Sequence, residues 1–243
     1  MSLDRRLFLK GSLATGAGLA FTGLPSHAVA QPWLTIPRGL PTVQLYTDET
    51  TAQFRVLIDP EVEIVYGITA DDGSHPVIDQ SLPVRNPFNE REAIDHLTIT
   101  GLNLKATYTL KMYKRATGEE LDARTFNALD TRKPNGRFAL VSCMLDMLLP
   151  IQAYMWKAME DAKVDVIFII GDTSYTDVLG ATATLRNMWT RHIQSRRAID
   201  LYWFKHLKPV IASWDDHDYA GNNSNRTSPL NHVPAQMRCF RST

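Results

Sequence analysis

Four scarcities narrow the reading of this chain. Among 243 residues there are only two cysteines, Cys143 and Cys239. Two thiols cannot build the dense disulfide framework of a small secreted scaffold, nor a Cys-only zinc cluster. No charge of either sign is in excess: 26 basic residues face 26 acidic ones. A nucleic-acid binder normally carries a basic surplus or stripe, so no nucleic-acid partner is expected. No apolar run reaches the roughly twenty residues that a membrane-spanning helix needs, so no stable membrane anchor is expected either. Nor is any composition biased enough for a collagen-like, low-complexity or wholly disordered chain. The length allows one large domain or two small ones.

The first thirty residues differ from the rest. Arg5 and Arg6 precede Leu7-Phe8-Leu9-Lys10, followed by a weakly apolar Gly/Ala-rich stretch, Gly11 to Leu24, and the small residues Ala28-Val29-Ala30. This is the charged, apolar and small-residue order of a cleavable signal peptide over residues 1–30, with the cut expected after Ala30. The order Arg5-Arg6-Leu7-Phe8-Leu9-Lys10 resembles a twin-arginine signal; the alternative is a general secretory signal that happens to hold two arginines. The resemblance implies recognition by the twin-arginine export machinery and a periplasmic or secreted destination. Removing the segment leaves 23 basic and 25 acidic groups.

From residue 31 to about 132 the pattern is of strands and turns. Val43 to Thr47, Ala52 to Ile58, Val62 to Ile68, Leu97 to Ile99, Tyr108 to Tyr113 and a segment near Arg124-Thr125-Phe126 read as strands. Asp71-Asp72-Gly73 and Ala116-Thr117-Gly118-Glu119 read as turns. Such spacing predicts a β-sandwich. Leu102, Leu104 and Tyr108 fit the spacing of a tyrosine corner, with Leu104 where proline is commoner. This region resembles a small fibronectin-type or immunoglobulin-type module.

At Thr131 to Gly136 the character changes, and residues 133–243 are expected to form a second domain. Phe138 to Cys143 reads as a buried strand, and Ile151, Met155, Met159 and Ala162 hold helical spacing, with Pro150 in the first turn. Val164 to Ile170 is nearly all apolar, as expected of a strand covered on both faces. Leu185, Met188, Trp189, His192 and Ile193 share one face of a helix expected to run to about Leu207, and Pro209 to Trp214 is a third strand. The β-α-β-α-β order predicts a parallel α/β sheet.

In such sheets ligands gather outside the carboxyl ends of the strands. Those ends carry Cys143, then Gly171-Asp172-Thr173-Ser174-Tyr175, then Asp215-Asp216-His217-Asp218. Asp172 comes 29 residues after Cys143 and Asp216 comes 44 after Asp172. Each interval suits one crossover, so the three ends should meet on one rim. Carboxylates, a thiolate and a phenolate are donors for a di- or trivalent ion. Two ions could activate a water for hydrolysis, with a nearby histidine to protonate a leaving oxygen. Each residue keeps a plainer alternative. Cys143 is either a ligand, an inert buried cysteine or a disulfide partner of Cys239. Tyr175 is either a ligand or a cap on the sheet edge. The Asp215/Asp216/Asp218 cluster either faces a cation or forms a surface turn. His192 reads as a core or boundary residue, and Arg226 as a possible phosphate contact by position alone.

Val141-Ser142-Cys143, Gly171 to Tyr175, and Trp214 to Tyr219 followed by Asn222 together resemble the PhoD-like alkaline phosphatases and phosphodiesterases, within the calcineurin-like metallophosphoesterases. The last motif is the most specific; the Gly-Asp-x-x-Tyr element is shared with purple acid phosphatases. The resemblance implies hydrolysis of phosphate esters. It implies Fe3+ held by Cys143, Asp172 and Tyr175, with Asp172 bridging to Ca2+, and Asp216 and Asn222 on the calcium side. His217 would be the catalytic histidine. That family's catalytic domain continues with further His and Asp ligands, so the expectation is a β-sandwich followed by an incomplete α/β metallophosphoesterase domain. Two rival readings stand beside it: a non-catalytic exported binding module, and a zinc- or iron-dependent hydrolase of another kind.

Overall fold

The computed structural model describes residues 39–146, 149–178 and 184–225, all within one compact unit. The expected signal peptide over residues 1–30, Arg226 and Cys239 lie outside the described residues.

Seven strands form the first layer pair: β1 (Thr42–Thr47), β2 (Thr51–Ile58), β3 (Ile64–Ala70), β4 (Val77–Arg85), β5 (Ala93–Thr100), β6 (Thr107–Lys114) and β7 (Glu120–Asn127). They pair as a four-stranded sheet β1-β2-β5-β4 and a three-stranded sheet β3-β6-β7, all antiparallel. This is a β-sandwich in the strand order of a constant-type immunoglobulin domain. Alternation explains it: in β2, Ala52, Phe54 and Val56 point inward while Gln53 and Arg55 do not, and β6 buries Tyr108, Leu110 and Met112. These meet Leu97, Ile99 and Phe126 in one core. Phe126 packs edge-on against Phe54, with centroids 4.8 Å apart, and stacks on Tyr108 at 5.3 Å. The tyrosine corner is formed: Tyr108, fully buried, accepts at its hydroxyl from the Asn103 main-chain N–H at 2.7 Å. Leu102 is buried beside it, whereas Leu104 stays half exposed.

Strand β4 has no counterpart in the sequence pattern. Asp79, Gln80, Ser81 and Leu82 are all exposed, and Pro83 sits where the register shifts between Ser81 and Val84. The strand lies at a sheet edge, where proline and polar residues are tolerated because one row of N–H groups needs no partner.

Three further strands, β8 (Phe138–Val141), β9 (Val166–Ile170) and β10 (Val210–Ser213), make a parallel sheet in the order β10-β9-β8. Helix α1 (Leu149–Asp161) links β8 to β9; α2 (Leu185–Ala198) and a 3-10 turn (Asp200–Trp203) precede β10; a short α3 (Asp216–Tyr219) follows it. Four expectations need correction. Strand β8 is not buried: it is an edge strand, with Phe138 64% and Leu140 59% exposed. Strand β9 is not covered on both faces, since Ile170 is 51% exposed. The reason is that both connections supply the same apolar cluster. Trp156 and Met159 of α1, and Ile199, Leu201, Tyr202 and Phe204 after α2, all join Val141, Ile167, Ile169 and Val210. The long helix also stops at Ala198 rather than near Leu207, because the closely spaced apolar residues that follow turn into this cluster with Ile199 already extended. On α1, Trp156 is buried where the spacing had favoured the exposed Met155.

The segment between α2 and β10 stitches the parallel sheet to the sandwich. Thr125 exchanges main-chain hydrogen bonds with Lys205 and Leu207, at 2.9 and 2.8 Å. Arg124, buried and paired with Asp122 at 2.7 Å, donates to the Phe204 carbonyl at 2.7 Å. Among the described residues no helix is long and apolar enough to cross a membrane.

Candidate metal centre

The three parallel strands end side by side, and the chain leaves two of them in a conformation that side chains avoid. Cys143, two residues beyond β8, has φ +58°, and Asp172, two beyond β9, has φ +55°. Such left-handed backbone costs a non-glycine residue on the order of 1 kcal/mol and persists where the surroundings fix it. Here the two loops fix each other: the Met144 N–H donates to the Asp172 carbonyl at 2.8 Å, and the Cys143 N–H to the Gly171 carbonyl at 3.4 Å. Gly171 has no substitute, since its φ is +107° and a Cβ there would stand 2.4 Å from the Asp215 Cβ.

These bends bring candidate ligands together. Oxygen Oδ2 of Asp172 lies 3.6 Å from the Cys143 thiol and 3.3 Å from the Tyr175 hydroxyl. Asp172, Asp216 and His217 each offer a donor atom, and the three atoms lie within 4.8 Å of one another. Cys143 is a free, exposed thiol rather than an inert buried one. Burial pushes the Tyr175 phenol above its usual range, with the negative groups of Asp172 and Cys143 adding to the shift. The Tyr175 ring also lies against the His217 ring, with centroids 4.5 Å apart.

The fit to a cation rests on Asp172. It is nine-tenths buried, and its Oδ1 has no hydrogen-bond partner among the described residues. A buried carboxylate oxygen left without a donor is costly, and a cation removes the cost. With a thiol, a phenol and a second carboxylate beside it, the donor set suits a trivalent or divalent metal.

The three aspartates after β10 separate into different roles. Asp215 is the N-cap of α3 and accepts from the Asp216 N–H at 2.9 Å. Asp218 is fully buried and accepts from the main-chain N–H groups of Asp172, Ser174 and Asp215 at 2.7, 2.8 and 3.0 Å. It is therefore a clamp between the second and third loops. Burial pushes its carboxyl up to about 6, against the pull of those three donors. Only Asp216 joins the cluster, and its carboxylate is steadied by the main-chain N–H groups of His217 and Asn223. Asn222 is exposed, and its N–H reaches Asp177 at 2.9 Å.

No protein-family model and no curated protein matches the chain.

Asp177 is the functional candidate that the sequence did not disclose. Its Oδ1 accepts from His217 Nδ1 at 2.7 Å, while Oδ2 holds the Asn222 N–H. Burial resists ionisation of Asp177, yet the histidine bond and the Asn222 N–H hold its carboxyl below the usual value. Burial likewise works against a charged His217, but the Asp177 bond and the charges of Asp177, Asp172 and Asp216 raise its pKa. An aspartate five residues after Asp172 gives no spacing signal of its own; only the fold sets it opposite His217. His192, by contrast, is a buried neighbour of the site, bonded through Nε2 to the Asp218 carbonyl at 3.1 Å and stacked on Trp214.

Proposed function

We propose that this protein is an exported, metal-dependent phosphoric ester hydrolase of the PhoD-like kind, acting on phosphomonoesters or phosphodiesters. The parallel-sheet region would then be part of an α/β metallophosphoesterase domain. The observation that carries the reading is the convergence of Asp172, Asp216 and His217, with one oxygen of the buried Asp172 carboxylate lacking a hydrogen-bond partner among the described residues. Cys143, Asp172 and Tyr175 would hold Fe3+, with Asp172 shared with Ca2+ on the Asp216 and Asn222 side. When bound, the ions would supply Lewis acidity toward phosphoryl oxygens and lower the pKa of a water. The chain's own contribution is positional. Asp177, an acceptor only, fixes the proton of His217 on Nδ1 and leaves Nε2 for the substrate. In its protonated form, which the Asp177 carboxylate favours, His217 donates from Nε2 to the leaving oxygen or to an equatorial one. The arginine pair and apolar run at the N-terminus support export through the twin-arginine machinery to the periplasm or beyond.

Metal analysis of the purified chain, with an aryl phosphate assay on the wild type and Asp172→Ala, tests the proposal. Bound iron and calcium are expected. Activity should fall about a thousand-fold in the variant, the equivalent of several kcal/mol of transition-state stabilisation. Zinc in place of iron and calcium would leave a hydrolase with another metal pair. A folded, metal-free and inactive wild type would leave a non-catalytic exported module.

A further inference from the structure

We propose that Arg191 is a positioning residue for the metal centre: it braces the Cys143 loop against the Tyr175 loop so that thiolate and phenolate reach one ion. This role presupposes the metal-centre reading above. Arg191 stands on α2 with its side chain only 15% exposed, and each guanidinium nitrogen has its own acceptor. Nε donates to the Tyr175 carbonyl at 3.0 Å. One Nη donates to Asp146 Oδ1 at 2.5 Å, and the other to Gln194 Oε1 at 2.6 Å. Asp146 is three residues beyond Cys143 on the same loop, is buried, and accepts a second bond from Ser195 Oγ at 3.3 Å. Helix α2 therefore grips the first loop through Asp146 and the second through the main chain of Tyr175.

The two loops need such a grip. Cys143 and Asp172 both hold left-handed backbone, and the Met144 and Cys143 N–H bonds tie the first loop to Gly171 and Asp172. Neither bond constrains Tyr175, which lies three residues further on. The planar fork of Arg191 does, because one rigid group bonds both loops at once. A lysine would keep the charge opposite Asp146 but would lack the second, fixed donor for the Tyr175 carbonyl. Partners behind metal ligands typically alter metal affinity 10- to 100-fold.

The test compares full-length wild type, Arg191→Met and Arg191→Lys. Ferric iron is added to the metal-free proteins and followed through the thiolate and phenolate charge-transfer absorbance. Arg191→Met should bind iron about 10- to 100-fold more weakly with a shifted or lost band. Arg191→Lys should recover thermal stability but not iron affinity. Amide exchange on the metal-free proteins gives a readout that needs no ion. Residues 143–146 and 173–176 should lose protection together in Arg191→Met, while strands β2, β5 and β6 keep theirs. Unchanged protection in both loops would overturn the brace, as would full recovery of iron affinity by Arg191→Lys, which would make Arg191 a mere counter-charge. If the wild type binds no iron yet both loops lose protection as expected, the brace stands and the metal reading falls.

Discussion

The sandwich and the parallel sheet treat backbone strain in opposite ways. In the sandwich, positive φ occurs among the described residues only at Gly73, Gly101 and Gly118, where turns require it. In the parallel-sheet region it falls on Cys143, Lys163, Asp172 and Asn223 as well as on glycines. Two of those four are candidate ligands, and Asn223 holds Asp216. The sandwich buries Phe54, Leu97, Tyr108, Leu110, Met112 and Phe126 completely. The parallel sheet leaves Phe138, Leu140 and Ile211 more than half exposed on one face. One region is built to be stable. The other holds unfavourable conformations around a cluster of like charges, an arrangement that stability alone would not select.

That contrast can be broken or sharpened by substitution. The largest effect should come from Phe126→Ala, which empties the sandwich core between Phe54 and Tyr108. A loss of about 3 to 5 kcal/mol is expected in urea unfolding, and a loss below 1 kcal/mol would show that this core does not carry the fold. Next is His192, whose pKa burial pushes down to about 4, with Arg196 and Arg191 adding to the shift and the Asp218 carbonyl opposing it. The unfolded chain takes up this proton near pH 6.5 and the folded chain only near 4, so the neutral histidine contributes stability above pH 6.5 that is lost as pH falls toward 4. Against His192→Gln, which also leaves Asp218 in place, the wild type should lose on the order of 3 kcal/mol across that window. A constant difference between the two proteins would refute a buried neutral imidazole. Tyr108→Phe removes the corner hydrogen bond to Asn103 and should cost about 1 kcal/mol, read from the denaturation midpoint at an unchanged slope. The smallest effect has the opposite sign. Cys143→Gly should stabilise the metal-free protein by roughly 0.5 to 1 kcal/mol through relief of its φ of +58°, while iron binding weakens. A destabilised Cys143→Gly variant would mean that the left-handed backbone carries no strain.

Most of the sandwich was legible because alternation of period two survives in β2, β5, β6 and β7, and because Leu102 and Tyr108 carry the corner spacing. Strand β4 was not legible, since an edge strand needs neither an apolar face nor a full row of donors. In the parallel sheet the apolar runs disclosed the strands but not how many of their faces are covered. A run such as Val166 to Ile170 reads the same with one covering layer as with two. Of the candidate site, Cys143, Asp172, Tyr175, Asp216 and His217 were marked by their place at strand ends, and the structure brings their loops together. The division of labour among Asp215, Asp216 and Asp218 was hidden, because three adjacent carboxylates look alike until a helix N-terminus and two neighbouring loops claim two of them.

The chain's sequence by itself determined the kinds of element, the corner tyrosine and the residue types available for chemistry, since periodicity and side-chain chemistry are local properties. Only the tertiary structure decided which of those residues meet. Asp177 opposite His217 and Asp146 against Arg191 are pairings across 40 and 45 residues, Arg191 reaches Tyr175 across 16, and the burial of Asp172 is an outcome of packing. Directional hydrogen bonds and desolvation, which act between surfaces rather than along the chain, fixed them.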